Sequence, residues 1–496
     1  MHEIELKFQV PPAQRAAVAA AVAGDDGAAR TRLQAAYFDT PERALAAAGL
    51  ALRVRREGRR WVQTLKGSGG DSLTRAEHNV ALAAAAAEPA VDPALHDGTA
   101  VGERLRAALA DGATPLACVY RTDIWRTHRR LRVRGGTLEL AYDEGLIEAG
   151  EQRLPVSELE IELLSGSPLA VIETARTWVA RHGLWLDTRS KAERGDLLAR
   201  GEAMAAPRKQ QAVQLAREMS VAQGLRCVLL SCLDQVSVNA SQVASGHYEA
   251  EHVHQLRVGL RRLRTALRLF DVEASHADLA DAATALFRQL GPARDQAAVV
   301  QPMQRELHDA MASAGLRFDA PDLPAPSGEA EPAALVRAAP AQQLLLALYA
   351  HTQAEPAPAV EGEPPLRELL AQRLNRWHRQ VAADAARFAE LDDAARHTLR
   401  KRAKHLRYGA EFSASLFPQR RVRRLLKSLR ALQDRLGVFI DVLTALAAYR
   451  ERSDSDAHAL FAVGWLAARR EALLRESLPD VTAFAKAKRF WKRAVG

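Results

Sequence analysis

Through about its first 200 residues the chain alternates apolar and charged positions with a period of two, the signature of β-strands. Glu3-Ile4-Glu5-Leu6-Lys7-Phe8 places Glu3, Glu5 and Lys7 on one face and Ile4, Leu6 and Phe8 on the other. Leu50 to Arg55 sets Arg53 and Arg55 opposite Leu50, Leu52 and Val54. Trp61 to Lys66 aligns Thr64 and Lys66 against Leu65, and Gly67-Ser68-Gly69-Gly70 turns the chain toward a partner strand carrying Arg75 and Glu77. Val119 to Val133 holds Arg126, Arg130 and Arg132 in register. Glu139 and Asp143 share a face on the next strand, and Glu158, Glu160 and Glu162 share one on the strand after it. Between these runs the sequence predicts helices at Pro11–Ala23, over an Ala-rich stretch at Ala81–Leu109 broken by Pro89 and Pro93, and at about Pro168–His182. Tyr37-Phe38-Asp39-Thr40-Pro41 ends a strand in a turn.

Beyond residue 200 the period changes. Gly201 to Gln211 lacks apolar periodicity and reads as a linker. Residues 212–496 form a series of amphipathic helical segments, interrupted by Pro-rich loops at Ala320–Pro326 and Pro356–Pro365. An internal repeat runs through this part. His254-X-X-Arg257…Arg261-Arg262-X-Arg264 matches His397-X-X-Arg400-Lys401…Lys404-His405-X-Arg407, and Leu290-Gly291-X-X-X-Asp295 matches Leu436-Gly437-X-X-X-Asp441. On a helix Arg257, Arg261 and Arg264 fall at about 280–340° from His254, beside a stripe of Leu256, Leu260, Leu263 and Leu267. The second copy gives the same geometry. Each helix buries one stripe and carries a narrow cationic one, and the two copies predict two related helical halves.

A chain of 496 residues exceeds what one core usually serves. The division expected is 1–200, a linker at 201–211, and 212–496. The net charge of +9 is uneven: residues 1–206 hold 27 Lys and Arg against 28 Asp and Glu, the rest 42 against 32. That asymmetry predicts a polyanionic partner for the helical part. Cys118, Cys227 and Cys232 are scattered, without metal-site spacing, which argues for a reducing compartment and against a disulfide framework. The runs Val80–Ala87 and Leu344–Ala350 are too short to span a bilayer, and no signal-like segment precedes the first strand. A cytoplasmic protein free of the membrane is expected.

The charged strand faces hold both signs. Facing water they need no particular mixture; facing a closed lumen they must be paired or bind ions. Clustered carboxylates suit hard divalent cations, and clustered Arg and Lys suit phosphate oxygens. Together they describe a site for a metal-bound phosphate chain, where phosphoryl transfer needs positioning and charge neutralisation.

Glu3-X-Glu5-X-Lys7, the Tyr37–Pro41 turn, Gly49 to Arg55, Thr64-Leu65-Lys66, Arg75-Ala76-Glu77, Glu139 to Gly145, Glu158 to Leu163 and Ser190-Lys191, in that order, resemble the CYTH superfamily of triphosphate tunnel metalloenzymes. The resemblance implies a closed eight-stranded antiparallel tunnel, α+β in class, hydrolysing inorganic triphosphate with Mg²⁺ or Mn²⁺. It implies Glu3, Glu5, Glu77, Glu160 and Glu162 at the metals, and Lys7, Arg53, Arg55, Lys66, Arg75 and Arg126 on the phosphates. Lys191 would stand near the attacking water, with Lys66 and Glu160 also in the catalytic set. The superfamily also contains thiamine-triphosphate hydrolases and adenylate cyclases, so another triphosphate is the alternative substrate.

The helical repeat and its Leu-Gly-X-X-X-Asp landmark resemble the CHAD domain, often fused behind a CYTH domain. This implies an all-helical bundle with a two-fold internal repeat that binds inorganic polyphosphate, and it suggests polyphosphate granules as an associated location. Carried over by position, the ligands are His254, Arg257, Arg261, Arg262, Arg264, His397, Arg400, Lys401, Lys404 and Arg407. A polyphosphate-binding protein without catalysis is a second reading. Nucleic-acid binding is a weaker one, because no helix-turn-helix or aromatic stacking platform is apparent. The sequence leaves the oligomeric state open.

Overall fold

The computed structural model describes residues 2–24, 27–68, 74–83, 85, 87–109, 115–291, 301–316, 330–356, 358 and 362–491; the side chains of His2, Glu3, Ser68, Thr74, Arg75, Gln301 and Pro302 lie outside that description. Its strands are β1 (His2–Gln9), β2 (Ala29–Asp39), β3 (Leu50–Glu57), β4 (Arg60–Ser68), β5 (Thr74–Leu82), β6 (Ala117–Val133), β7 (Gly136–Ala149), β8 (Gln152–Gly166) and β9 (Trp185–Leu186). The helices are α1 (Arg15–Ala23), α2 (Ala44–Ala47), α3 (Ala100–Ala108), α4 (Pro168–His182), α5 (Lys191–Ala199), α6 (Val221–Ala244), α7 (Ala250–Leu269), α8 (Ala277–Gln289), α9 (Gln301–Ser313), α10 (Pro332–Arg337), α11 (Ala339–Gln353), α12 (Leu366–Ala386), α13 (Asp393–Phe412), α14 (Gln419–Ser453) and α15 (Ala459–Ala485).

The chain forms two compact units. One comprises residues 1–208, 233–252 and 333–354; the other comprises 209–232, 253–332 and 355–496. The β-rich unit therefore includes segments from far along the sequence.

Its strands form one antiparallel sheet in the order β5-β4-β3-β2-β6-β7-β8-β1-β9, and β1 also pairs with β5 at His2↔Ala76, Glu3↔Arg75 and Ile4↔Thr74. Among the described residues the sheet has nine strands where eight are expected. The ninth, Trp185–Leu186, is two residues long, too short for any alternation to show in the sequence. A second correction concerns Ala81–Leu109. The expected helix there is replaced by the end of β5, a single 3-10 turn at Pro93–His96 and the shorter α3. Two prolines and the β-branched Val80 outweigh the helix preference of alanine.

One face of the sheet carries the ionic residues together with an apolar patch of Leu33, Ala35, Tyr37, Tyr120, Ile124, Ile147, Ala149 and Val156. Helix α5 packs over this patch through Ala192, Leu198 and Ala199. On the opposite face Leu50, Leu52 and Leu65, together with Leu45 of α2, pack against Val101 and Leu105 of α3. The Tyr37–Pro41 turn is held by Asp39, whose buried carboxylate accepts the backbone N–H groups of Thr40 (2.7 Å), Leu45 (2.9 Å) and Ala46 (2.9 Å).

In the helical unit, α9, α14 and α15 share a core that includes Leu307, Met311, Phe439, Leu446, Tyr449, Leu466 and Leu473. Both copies of the repeated motif fall in 20-residue helices, α7 and α13. Gly437 lies within α14, Gly291 follows the end of α8, and Asp295 lies outside the described residues. Helix α6 has the length and mean hydropathy (1.2) of a membrane-crossing helix. In the β-rich unit, however, its Asn239, Ser241 and Gln242 are buried and hydrogen-bonded to neighbouring chain.

Candidate active site

Strand register assembles the charged face. Arg126 of β6 stands opposite Asp143 of β7, which stands opposite Glu158 of β8. One rung along, Glu160 pairs across with Lys7 of β1; one further, Glu139, Glu162 and Glu5 lie side by side on β7, β8 and β1. Lys66 and Glu77 face each other on β4 and β5.

A buried ion cluster sits at the centre. Oxygens of Asp143, Glu158 and Glu160 lie within 4.8 Å of one another. Lys191 Nζ bonds Asp143 at 2.6 Å and Glu160 at 2.9 Å, and also bonds Glu158. Arg126 holds Asp143 through a two-pronged contact (2.7 and 2.6 Å) and reaches Glu160. Arg194 bonds Glu158. Three carboxylates thus meet three cations. Burial alone would raise the carboxyl of Asp143, but Arg126 and Lys191 bring it below its ordinary value; Glu160 is driven further down, against burial, by Lys191, Arg126 and Lys7. Lys191, despite burial, is held protonated by Asp143, Glu158 and Glu160.

Lys191 and Arg194 reach the cluster because α5 is fixed at its first turn. Ser190 caps the helix by accepting the Glu193 N–H (3.0 Å), while Glu193 accepts the Ser190 N–H (2.7 Å), a reciprocal capping box. Gly195 lets the helix approach: a Cβ there would lie 2.3 Å from the ring of Tyr120.

The rest of the face divides by sign. Arg53 donates to the Tyr37 hydroxyl (3.2 Å), and Arg55 pairs with Glu57. Arg55 is pushed down to about 10 by burial and by Arg53, a mark of crowded positive charge. Burial alone would raise the Tyr37 phenol, but Arg53, Lys191 and Arg55 bring it below its ordinary value. Lys7 is buried and donates to the Arg189 carbonyl (3.4 Å); Lys66 pairs with Glu77 at 2.8 Å. On the acidic side, burial and the neighbouring Glu5 and Glu139 push Glu162 up to about 7.

These carboxylates set the fit to a metal. Asp143, Glu158 and Glu160 have close oxygens, but Lys191, Arg126 and Arg194 already balance their charge. Glu5, Glu139 and Glu162 are the set whose mutual repulsion a divalent cation would relieve, and their oxygens are the donors a hard ion prefers.

The structure thus brings together Lys7, Arg126, Glu160 and Lys191, sets Glu5 beside Glu162, and pairs Lys66 with Glu77. The side chains of Glu3 and Arg75 lie outside the described residues. Arg121, paired with Glu88, and Arg130 are exposed, whereas the half-buried Arg126 is the arginine of β6 that meets the carboxylate cluster. Asp143, Glu158, Glu139 and Arg194 were not singled out as ligands from the sequence. Alternation on β7 and β8 and the Lys191–Arg194 spacing on one helix face were the available signals.

In the helical unit the two motif helices meet. His405 of α13 is hydrogen-bonded to Thr265 (2.8 Å) and lies 3.4 Å from Arg268 of α7. Burial and then Arg268, Arg264, Arg261 and Lys404 push its imidazole down to about 4. His397 is lowered by burial and by Lys401, Arg400 and Lys404. Arg257 donates to the Gly291 carbonyl (3.0 Å) and stacks on Phe287. A Cβ on Gly291 would lie 3.7 Å from the Arg257 guanidinium, and one on Gly437 3.6 Å from that of Arg400, so both copies place this arginine against this glycine. Arg407 bonds Gln433 (2.7 Å) and Glu411 (3.0 Å). His254, Arg261 and Arg264 are half-buried and Lys401 is exposed.

Arg262 is a correction. It is 2% exposed, bonded to Ser231 (3.0 Å) and stacked on Phe412, so it braces the interior and does not join the stripe. Its position on the helix, well off the arc of Arg257, Arg261 and Arg264, is the reason. Gln419 to Arg430 opens α14 with Arg420, Arg421, Arg423, Arg424, Lys427 and Arg430, all exposed and with no acidic residue among them. This run was missed, although its composition was in plain view.

Residues 1–195 match the CYTH domain family and residues 227–450 the CHAD domain family. The inorganic triphosphatase of Haemophilus influenzae is 30% identical over 168 residues, which is 33% of this chain and 44% of that relative's length. Among solved structures, the CHAD domain from the plant Ricinus communis is 26% identical, with a TM-score of 0.44 over 57% of this chain and 98% of its own. A Hippeastrum protein named as an adenylyl cyclase, with a dominant triphosphatase activity, is 19% identical, with a TM-score of 0.29 over 41% of this chain and 97% of its own. The chain joins a CYTH domain to a CHAD domain.

Proposed function

We propose that the β-rich unit hydrolyses inorganic triphosphate with the help of Mg²⁺ or Mn²⁺. The observation that carries this reading is the division of one sheet face into a cationic bank (Lys7, Arg53, Arg55 and Arg126, joined by Lys191 from α5) and an acidic one (Glu5, Glu139, Glu162). Eight strands would close around that face as a tunnel, and the pairing of β1 with β5 supports closure. Glu5, Glu139 and Glu162, with Glu3 and Glu77, would hold the metal, which when bound neutralises phosphate charge. Lys7, Arg53, Arg55, Lys66, Arg75 and Arg126 would take the phosphate oxygens, arginines in a fork and lysines as point charges. Lys191 stays an ammonium and serves as a hydrogen-bond donor, never as a base. Glu160 orients Lys191 and Arg126 from behind. Phosphoryl transfer through a loose transition state asks for little more than this positioning and charge balance. Glu160→Gln or Lys66→Ala should abolish phosphate release, with circular dichroism confirming that each variant is folded; unchanged turnover would reject the reading.

The helical unit, in the same proposal, binds inorganic polyphosphate where α7 and α13 meet. The lowered His405 and His397 support it, since cations crowded this closely favour an anion between them. The matching Arg257–Gly291 and Arg400–Gly437 contacts support a two-fold repeat. Titrating the protein with long-chain polyphosphate against single-stranded nucleic acid over a salt series tests this. Stronger retention of nucleic acid at physiological salt would overturn it.

A further inference from the structure

We infer that Gln342 and Ser241, residues of the sequence that matches the CHAD family, are positioning residues for Lys191; the inference rests on the hydrolase reading above. Strand β9 is a sheet edge. Just past it, the Asp187 N–H turns inward to the Lys7 carbonyl (2.9 Å), so the N–H groups of Leu186 and Thr188 on either side point away from the sheet, where a tenth strand would stand. Two side chains replace that strand. Gln342 of α11 accepts the Leu186 N–H at 2.8 Å, and Ser241 of α6 accepts the Thr188 N–H at 3.0 Å. Each is fixed in turn: Gln342 donates to the Val336 carbonyl (2.7 Å), and Ser241 donates to the Ser237 carbonyl (2.9 Å). Both side chains are 0% exposed, and their segments, 233–252 and 333–354, belong to the β-rich unit.

What they hold leads directly to the ion cluster. Asp187, also 0% exposed, accepts the Arg189 N–H (3.0 Å) and a Gln9 amide hydrogen (3.0 Å). Ser190 then caps α5, and Lys191 is its first residue. Lys7 is tied to the same segment twice, through its carbonyl to Asp187 and through its ammonium to Arg189. Residues 186–190 therefore set the place of both lysines, and Gln342 and Ser241 set the place of residues 186–190. A buried amide or hydroxyl is costly unless it meets a partner; here each accepts from one backbone donor that the sheet leaves over.

The test uses the full chain. Gln342→Leu removes the acceptor at similar volume. We expect kcat for triphosphate to fall about tenfold with KM near that of the unaltered protein, since misplacing a catalytic group by less than 1 Å suffices for such a loss. Amide exchange over Leu186–Lys191 should accelerate by a similar factor. Gln342→Glu, whose protonated carboxyl keeps both the acceptor for Leu186 and a donor to the Val336 carbonyl, should restore both, more fully at pH 6 than at pH 8. Should Gln342→Leu fail to fold, Ser241→Ala gives the same readouts with a smaller change of volume. Normal kcat and normal exchange in the folded variant overturn the inference, as does a lowered melting temperature with unchanged kcat. An unaltered protein that releases no phosphate rejects the hydrolase reading instead, and the exchange measurement still decides whether the two side chains hold the segment.

Discussion

Replacing Lys191 by methionine removes one of three cations from a cluster that buries three carboxylates. Asp143 and Glu158 are both 0% exposed and Lys191 itself is shielded, so water cannot replace the lost ammonium. Removing one partner from a buried ion pair costs about 3–5 kcal/mol, a large share of the roughly 5–15 kcal/mol that holds a domain folded. The pH dependence follows from the shifts. Asp143 and Glu160 are depressed, so the stability they contribute is present above their ordinary values of 3.8 and 4.5 and is lost as pH falls through the lower folded values. Lys191 is raised, so its contribution is complete below 10.5 and is lost only at higher pH. The unaltered cluster is therefore flat across neutral pH. In Lys191→Met one carboxylate takes up a proton to restore balance, so the deficit should be about 3–5 kcal/mol at pH 7 to 9 and should narrow toward pH 5. Urea unfolding followed by circular dichroism at pH 5, 7 and 9 measures it, with phosphate release assayed in parallel. Turnover should fall by about a hundredfold or more. A stability loss under about 1 kcal/mol at pH 7, or turnover within twofold of normal, would refute the claim that this ammonium balances the cluster and serves the reaction.

Three further outcomes follow from the same geometry. Gly195→Ala should destabilise the β-rich unit by about 1–3 kcal/mol and lower turnover, because Tyr120 is stacked on Tyr37 at 4.6 Å and cannot move aside; a thermal melt checks it. Binding of Mg²⁺ at pH 7 should release about half a proton from Glu162 and strengthen as pH rises through 7; calorimetry in two buffers of different ionisation enthalpy reads this directly. Because His405 sits at about 4 in the folded chain against 6.5 when free, the helical unit should lose stability as pH falls from 6.5 toward 4; polyphosphate should offset that loss increasingly, seen as a ligand-induced rise in melting temperature that grows from pH 7 to pH 5.

The period-two alternation makes the charged strand faces legible, and Glu158-X-Glu160-X-Glu162 alone places three carboxylates on one side. Which charges would meet was not legible, because pairing depends on register. Lys191 reaching Asp143, or Glu139 joining Glu5 and Glu162, spans strands that the sequence does not align. Arg262 shows the opposite failure. The family resemblance carries it over as a ligand by position, although helical geometry turns it inward. Strand β9 was too short to carry a pattern, and the alanines from residue 81 on weigh toward helix where β5 is still running. Gln342 and Ser241 were not legible, since a polar residue within a helix does not say which distant backbone group it will meet.

The most direct test is phosphate release by the full chain from inorganic triphosphate, thiamine triphosphate and ATP, each with and without Mg²⁺. The account predicts fast, metal-dependent release from inorganic triphosphate, and little from the other two. Absence of release from inorganic triphosphate in the presence of metal would contradict it.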